Sequence, residues 1–327
     1  MPRARRRARA LMTRAGGIVA SIVLVLWGAA TLAFLAFRII PGDPVDVLLG
    51  PQAQVSEAVK DGIRQELGLD RPPLEQYLAF VGRLARGDLG ESYQLRLPVA
   101  EVIGRQLGST VQLTSLALLI AVVVALASVL LVRGRTARAI AGGIELVVLS
   151  SPVFWIGLVL LSVFSFQLGW FPVSGSRDAA ALILPAVTLA LPVAALLGQV
   201  LRDGVETAER EPFLLTVRAR GASSLRESTH HTLRHASVGG VTLAAYLVGS
   251  LLGGAVLVET VFARPGIGRV TLTAITDRDL PVVTGVILLS ALVFVVVNTI
   301  ADLVVPLLDP RLRRAAPALG PRSEVPA

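Results

Sequence analysis

Cysteine is absent from this chain of 327 residues, which excludes disulfides and thiolate metal sites. Lysine is nearly absent too, with Lys60 the single example. A phosphate loop of the form G-x-x-x-x-G-K-[ST] needs a lysine ammonium to reach the β- and γ-phosphates. Lys60 does not stand in that pattern and no other lysine exists, so the polypeptide should not hydrolyse ATP. Charge of either sign is scarce, at 17% of residues, and no repeat recurs at a fixed period.

Apolar residues fill the space. They make up 54% of the chain, with a mean hydropathy of +0.70, which places it in the membrane class. Crossing a hydrocarbon core of ~30 Å takes roughly 20 apolar residues in a helix. Six runs qualify, at about residues 17–37, 110–132, 139–168, 182–201, 238–262 and 283–308. Their backbone groups must be satisfied internally, so all-α spans are expected. The Leu/Val/Ala mixture lacks the polar–apolar alternation of a barrel strand.

The net charge of +8 raises the question of nucleic acid, but its distribution answers differently. Of 31 basic residues, 19 lie in segments 1–16, 133–138, 202–236 and 309–327. Segments 169–181 and 263–282 hold four, and the loop 38–109 holds eight. This is the asymmetry of a membrane topology, with both termini in the cytoplasm and no nucleic-acid partner. The N-terminal arginines followed by an apolar run imitate a secretory signal. The run ends in Arg38-Ile39-Ile40-Pro41 without a small-residue cleavage pattern, so it is read as an uncleaved first span.

These boundaries give a basic N-tail at 1–16, a first span at 17–37, an extracytoplasmic loop at 38–109, a five-helix core at 110–308 and a disordered cytoplasmic tail at 309–327. The 72-residue loop is too long for a simple connector. Ser56 is placed to cap a short helix carrying Val59, Ile63 and Leu67 and stopping at Gly68. Pro73 suits the start of another, with Leu74, Tyr77, Leu78, Val81 and Leu84 on one face and Gly87 as its stop. That face should rest on the membrane surface or on the spans, as a structural cap or a contact for an external donor protein. Residues 99–109 form an amphipathic lead-in to the second span. Pro152 should kink or tilt the third span, and Pro185 and Pro192 punctuate the fourth.

Ionisable residues inside spans are few: Glu145, Glu259 and Asp302, all near span ends. An ion-coupled transporter would need such groups at mid-membrane. Asn298 and Asp302 share a helix face and suit interhelical hydrogen bonds, while Gly249, Gly253 and Gly254 suit close helix packing. His230, His231 and His235 cluster but lack a carboxylate partner, which fits solvated loop residues better than a metal site.

The most informative segment is the polar island at 201–236, flanked by apolar runs. Its Arg-Ala-Arg-Gly centre predicts a short helix ended by Gly221 in the left-handed conformation. Such a helix could dock in a groove of a soluble partner and pass on its motion. The plainer reading is a basic loop held by anionic membrane lipids.

At these residues the chain resembles the first permease subunit of the dipeptide/oligopeptide/nickel group of ABC importers, with the island similar to its EAA-type cytoplasmic loop. The family pattern I-P-G-D-P stands at residues 40–44, L-G-L-D at 67–70, G-D-L-G-x-S at 87–92 and P-x-F-W at 152–155. L-G-W-x-P stands at 168–172, L-P-A-x-T-L-A-L-P at 184–192 and E-T-V-F-x-x-P-G-I-G-R at 259–269. R-D-x-P-V-V lies at 278–283 and L-D-P-R at 308–311. Together they run in order from about residue 17 to 313. The chain departs from the pattern at Pro212-Phe213, where an acidic residue usually precedes an aromatic. It departs again at Leu215 (often Arg), at Val238-Gly239 (often Leu-Pro) and at Arg264 (commonly Trp).

The resemblance implies a type I ABC importer permease fold with six transmembrane helices and a cytoplasmic coupling helix. It assigns coupling to Thr216, Val217, Arg218, Ala219, Arg220, Gly221 and Ala222. It marks Pro41, Gly42, Asp43, Pro44, Glu259, Pro265, Gly266 and Gly268 as extracytoplasmic family motifs. The implied partners are a second homologous permease, two cytoplasmic ATPases and an extracytoplasmic solute-binding protein, with no cofactor in this chain. The expected role is half of a pore in the cell membrane for a small solute, most simply a di- or oligopeptide. The competing expectations are a secondary transporter or channel acting alone, and a membrane scaffold.

Overall fold

A computed structural model describes residues 2–39, 44–49, 55–66, 68–132, 134–175, 178–221 and 232–308. The described residues are almost entirely helical, with one isolated antiparallel bridge between Glu91 and Pro98. In chain order the helices are α1 (Pro2–Ile39), α2 (Pro44–Leu49), α3 (Glu57–Glu66), α4 (Pro73–Ala85), α5 (Val99–Leu131) and α6 (Arg135–Ser150). There follow α7 (Val153–Leu160) with a π-helical extension Leu161–Gln167, α8 (Ala180–Glu209) and α9 (Phe213–Ala219). The last three are α10 (Leu233–Val261), α11 (Ile267–Thr276) and α12 (Leu280–Leu308). Five stretches are long and apolar enough to cross a membrane, within α1, α5, α8, α10 and α12. The bent pair α6–α7 makes a sixth if it counts as one crossing.

The centre of the fold is α8, which packs against α5, α6, α7 and α10. Its facing stripe on α5 is Leu113, Ala117, Ala121 and Ala125, all fully buried at a four-residue spacing that keeps one side of a helix inward. Leu247, Leu251, Ala255 and Val258 supply the matching stripe of α10. Outward-facing side chains such as Val23, Leu24, Trp27, Leu119, Val147 and Trp155 are apolar and exposed, as a hydrocarbon solvent allows. On the periphery, α1 lies against α12, with Ala30 and Ala33 buried.

The small residues separate by environment. A Cβ on Gly254 would lie 2.7 Å from Leu189 of α8, and one on Gly249 would lie 3.0 Å from Phe294 of α12. Gly253 faces open space instead. Two more close approaches join α8 to α10: a Cβ on Gly204 would meet Ala236 at 2.8 Å, and one on Gly240 would meet Leu201 at 2.6 Å.

Three sequence expectations are corrected. The third apolar run, expected to kink or tilt at Pro152, breaks there into two helices at 106° to each other. Pro152 lacks an N–H and forces the preceding Ser151 into extended backbone (φ −93°, ψ 133°), which ends α6 outright. Conversely, α8 runs unbroken through Pro185 and Pro192, because each removes one ladder bond and the enclosing helices hold the rest. Asn298 donates to its own helix, to the Phe294 carbonyl at 2.8 Å, so the expected interhelical bond is replaced by a local one. Asp302 beside it is exposed.

The short helices before α5 follow their local signals. Ser56 accepts the first helical bonds of α3 through its carbonyl, Pro73 opens α4, and Gly68 (φ +66°) and Gly87 (φ +78°) take the left-handed conformation where the stops are expected. Leu67 lies outside the described residues. Lys60 bridges α2 and α3, reaching Asp46 at 2.8 Å and Glu57 at 3.3 Å; these bonds raise its pKa. One face of α4 rests on α1: the Tyr77 and Thr31 hydroxyls share a hydrogen bond of 2.7 Å, and Phe34 contacts both Tyr77 and Phe80. The lead-in at 99–109 is continuous with α5, and Val99, Val102 and Ile103 pack on Ile267, Ala274, Val282 and Val286.

A buried polar clamp closes that second core. Asp279, which precedes α12, accepts the Ser92 hydroxyl and the backbone N–H groups of Tyr93 (3.2 Å) and Gln94 (3.3 Å). Both Ser92 and Asp279 are almost fully buried, and Ser92 Oγ in turn accepts the Leu95 N–H at 2.9 Å. Burial against this clamp raises the Tyr93 pKa, with Arg83 and Asp279 acting in opposite senses on it. Two segments 187 residues apart are thereby fastened. Replacing Asp279 by Ala should strip these three donors, and the Val282 N–H at 3.5 Å, of their acceptor and lower stability by about 3 kcal/mol. A reduced thermal midpoint in detergent and faster proteolysis between residues 90 and 98 would register this; an unchanged midpoint would remove the clamp from the fold's supports.

Candidate functional site

Two regions collect the singled-out residues, one at each end of the α8–α10 pair. At the first, α8 continues beyond its apolar stretch to Glu209, turns through residues 210–212 and restarts as α9. The turn is closed by backbone bonds from Glu211 to Ala208 (3.1 Å) and from Leu214 to Glu211 (3.1 Å). Leu214 is buried and its neighbour Leu215 is 69% exposed, so α9 has an anchored side and an outward side. Ala219, Arg220 and Gly221 are all exposed, and Gly221 has φ +76°, the left-handed value expected of it. Thr216, Val217 and Arg218 lie within α9, whereas Ala222 lies outside the described residues, as do His230 and His231.

The stem beneath α9 is held by the glycine contacts between α8 and α10 and by two ion pairs from α6. Glu145 and Arg202 meet in a two-pronged contact, Nη2 to Oε1 at 2.5 Å and Nη1 to Oε2 at 3.2 Å. Arg138 and Glu206 form a second pair at 3.2 Å, with the charges exchanged between the helices. Gly198 leaves room for the first pair, since a Cβ there would lie 3.1 Å from both Glu145 Oε1 and Ser128 Oγ. Sequence reasoning noticed Glu145 but missed Arg202 as its partner. The available signal was a lone acid in one apolar run and a lone arginine at the edge of the next.

At the other end, the segment 259–269 folds around Glu259, which is fully buried. Glu259 Oε1 accepts the Thr110 hydroxyl at 2.6 Å, and Oε2 accepts the Arg269 N–H at 3.2 Å. Thr110 Oγ1 accepts the Ile267 N–H at 2.8 Å, and Ser109 donates to the Pro265 carbonyl at 2.5 Å. A Cβ on Gly266 would sit 2.1 Å from Glu259 Oε1, and one on Gly268 would sit 2.5 Å from Val256 Cα. Space, not backbone conformation, demands glycine at 266, whose φ is 175°. Arg264 is also buried, at 2% exposure, and its pKa is lowered by that burial against the opposing charge of Glu259. The structure thus brings Glu259, Pro265, Gly266 and Gly268 together with α5. Pro44 only opens α2, and Pro41, Gly42 and Asp43 lie outside the described residues.

A bundle of apolar helices tied by buried polar bonds, carrying a short helix between two spans, defines a multi-pass membrane protein. Residues 117–314 match the family described as "Binding-protein-dependent transport system inner membrane component". The chain belongs to that family of ABC importer permeases, which are transport proteins and not enzymes. It is 35% identical to the di/tripeptide transport system permease protein of Pseudomonas aeruginosa, over 89% of this chain and 96% of that one. It is 34% identical to a glutathione transport system permease protein of Escherichia coli and 33% identical to that of Shigella flexneri, each over 89% of this chain and 96% of the relative.

The two ends yield separate expectations. Removing one member of the Glu145–Arg202 pair, as in Glu145→Leu, should cost about 3–5 kcal/mol by stranding a buried charge, and adding Arg202→Met should restore most of it. Thermal unfolding of the single and double variants checks this; equal losses in both would show the pair to be idle. Gly266→Ala should prevent correct folding at Glu259, while Gly253→Ala leaves the unfolding midpoint unchanged. Indistinguishable midpoints would contradict the cradle.

Proposed function

We propose that this chain forms half of the translocation pore of an importer for di- or oligopeptides, paired with a second, homologous permease. Two separate ATPase subunits supply the energy, and a solute-binding protein delivers the cargo. The relatives named for di/tripeptide and glutathione transport support a peptide-like cargo. The basic-residue asymmetry supports a topology with both termini and α9 in the cytoplasm, and with the 38–109 loop and the Glu259 turn outside.

In this reading α9 and the residues after it, Thr216 to Ala222, couple the ATPases to the pore. The observation that carries it is the mounting of α9: a short helix with Leu214 buried, Leu215 and Ala219 exposed, and an exposed Arg220 and glycine stop beyond it, set on a glycine-packed stem. A force applied at Arg220 reaches α8 and α10 as a rigid lever and not as a flexing loop. Closure of the ATPase dimer on ATP draws the two coupling helices together and opens the outer end. Cargo then passes in from the binding protein, and hydrolysis resets the inward-facing state. The loop 38–109, seated on α1 through Tyr77 and on α12 through Ser92, gives the binding protein a stiff platform. By the same topology Pro41, Gly42, Asp43 and Pro44 would be extracytoplasmic.

Arg220→Glu and Gly221→Leu should each abolish ATP-driven peptide uptake in proteoliposomes holding the whole importer, with membrane insertion unchanged. Normal uptake by both would take coupling away from this segment. Solute accumulation by this chain alone, insensitive to ATP depletion, would establish the stand-alone transporter instead.

A further inference from the structure

We propose that Arg264 receives the C-terminal carboxylate of the cargo at the outer end of α10, once that end has opened. The inference rests on the peptide-importer reading above. Arg264 is 98% buried by its own chain, yet Nε and Nη1 have no hydrogen-bond partner among the described residues. The acid nearest in sequence, Glu259, opposes the Arg264 charge through space but accepts from neither Nε nor Nη1: its hydrogen bonds come from Thr110 at Oε1 and from the Arg269 N–H at Oε2. The turn does hold the Arg264 backbone, whose N–H donates to the Glu259 carbonyl at 2.8 Å, so the residue's position is fixed while two of its side-chain nitrogens are left without an acceptor.

A guanidinium with empty donors in a dry site is costly, and an apolar residue would fill the same space without that cost. Indeed this is a position where the chain departs from the family pattern, which commonly has Trp, so the fold itself does not require a cation. The unfavourable state is therefore the closed one. A planar fork of donors matches a carboxylate two-to-two, and peptides carry one at their C-terminus. Opening the outer end pulls the turn 263–269 away from α5, to which Ser109 and Thr110 now fasten it, and uncovers Arg264. Cargo that pairs with Arg264 only in the open state favours that state by its differential affinity.

The test uses the complete importer in proteoliposomes, with one peptide in two forms, free acid and C-terminal amide. Affinities of the isolated binding protein for both forms are measured separately, so that uptake is compared at equal loading. Wild type is expected to show at least a tenfold lower KM for the acid. Arg264→Gln should erase the difference, Arg264→Lys should keep part of it, and Arg264→Trp should erase it while preserving the fold. Uptake by wild type without preference would overturn the inference. A preference surviving in Arg264→Gln and Arg264→Trp would do the same, as would an equal loss for both forms, which would assign the arginine to an acid of a partner protein. Failure of wild type to import either form would reject the peptide reading itself, and the inference with it.

Discussion

Close approach between helices is the constraint on which the rest of this structure depends. In hydrocarbon a leucine gains nothing by leaving lipid for protein, so the spans cohere through contact and through buried polar bonds. The contacts converge on α8. Gly204 meets Ala236, Gly240 meets Leu201, Gly254 meets Leu189, and Gly157 meets Thr188 at 3.2 Å. Each is a place where a methyl group would push two helices apart. Because these contacts run along α8 on several sides, a displacement at one end of the helix cannot be absorbed by loose packing at the other.

The polar bonds add direction to that packing. Glu145–Arg202 and Arg138–Glu206 carry opposite polarity from α6 to α8, which fixes the register of the two helices as well as their distance. At the other end, Ser92 with Asp279 ties the segment before α5 to the start of α12, and Thr110 with Glu259 joins α5 to α10. The two ends of α10 thus differ. One leads to a short exposed helix on a stiff stem, and the other closes on a buried acid. In the coupling role proposed for α9, the two ends would act as a fixed handle and a latched far end.

How much of this was legible beforehand follows from the range of each interaction. Gly68, Gly87 and Gly221 were readable as stops because a left-handed backbone is a property of one residue and its neighbours. The break at Pro152 was readable for the same reason, but its 106° turn was not: a lost ladder bond says where a helix ends, not where the next one points. Glu145 and Arg202, 57 residues apart, have no periodic relation that would pair them. Asn298 misled because its spacing to Asp302 described a shared face, and only packing decides whether a face meets a helix or lipid. The clustering of Glu259, Pro265, Gly266 and Gly268 was legible as a motif, while its reason, a buried carboxylate that leaves no room for a Cβ, needed coordinates.

The turn after α10 holds two buried charges that the chain treats in opposite ways. Glu259 is supplied with a hydroxyl and an N–H donor and is enclosed by glycines that exist to admit it. Arg264, five residues on, is nearly as buried and has no acceptor for Nε or Nη1 among the described residues. A site built for permanence satisfies its polar groups, as the one around Glu259 does. Buried donors without an acceptor raise the free energy of the conformation that contains them, and so narrow the gap to any conformation that satisfies them. In a bundle locked by close contacts, the proposed pairing of Arg264 with cargo would make this end the one where opening is easiest.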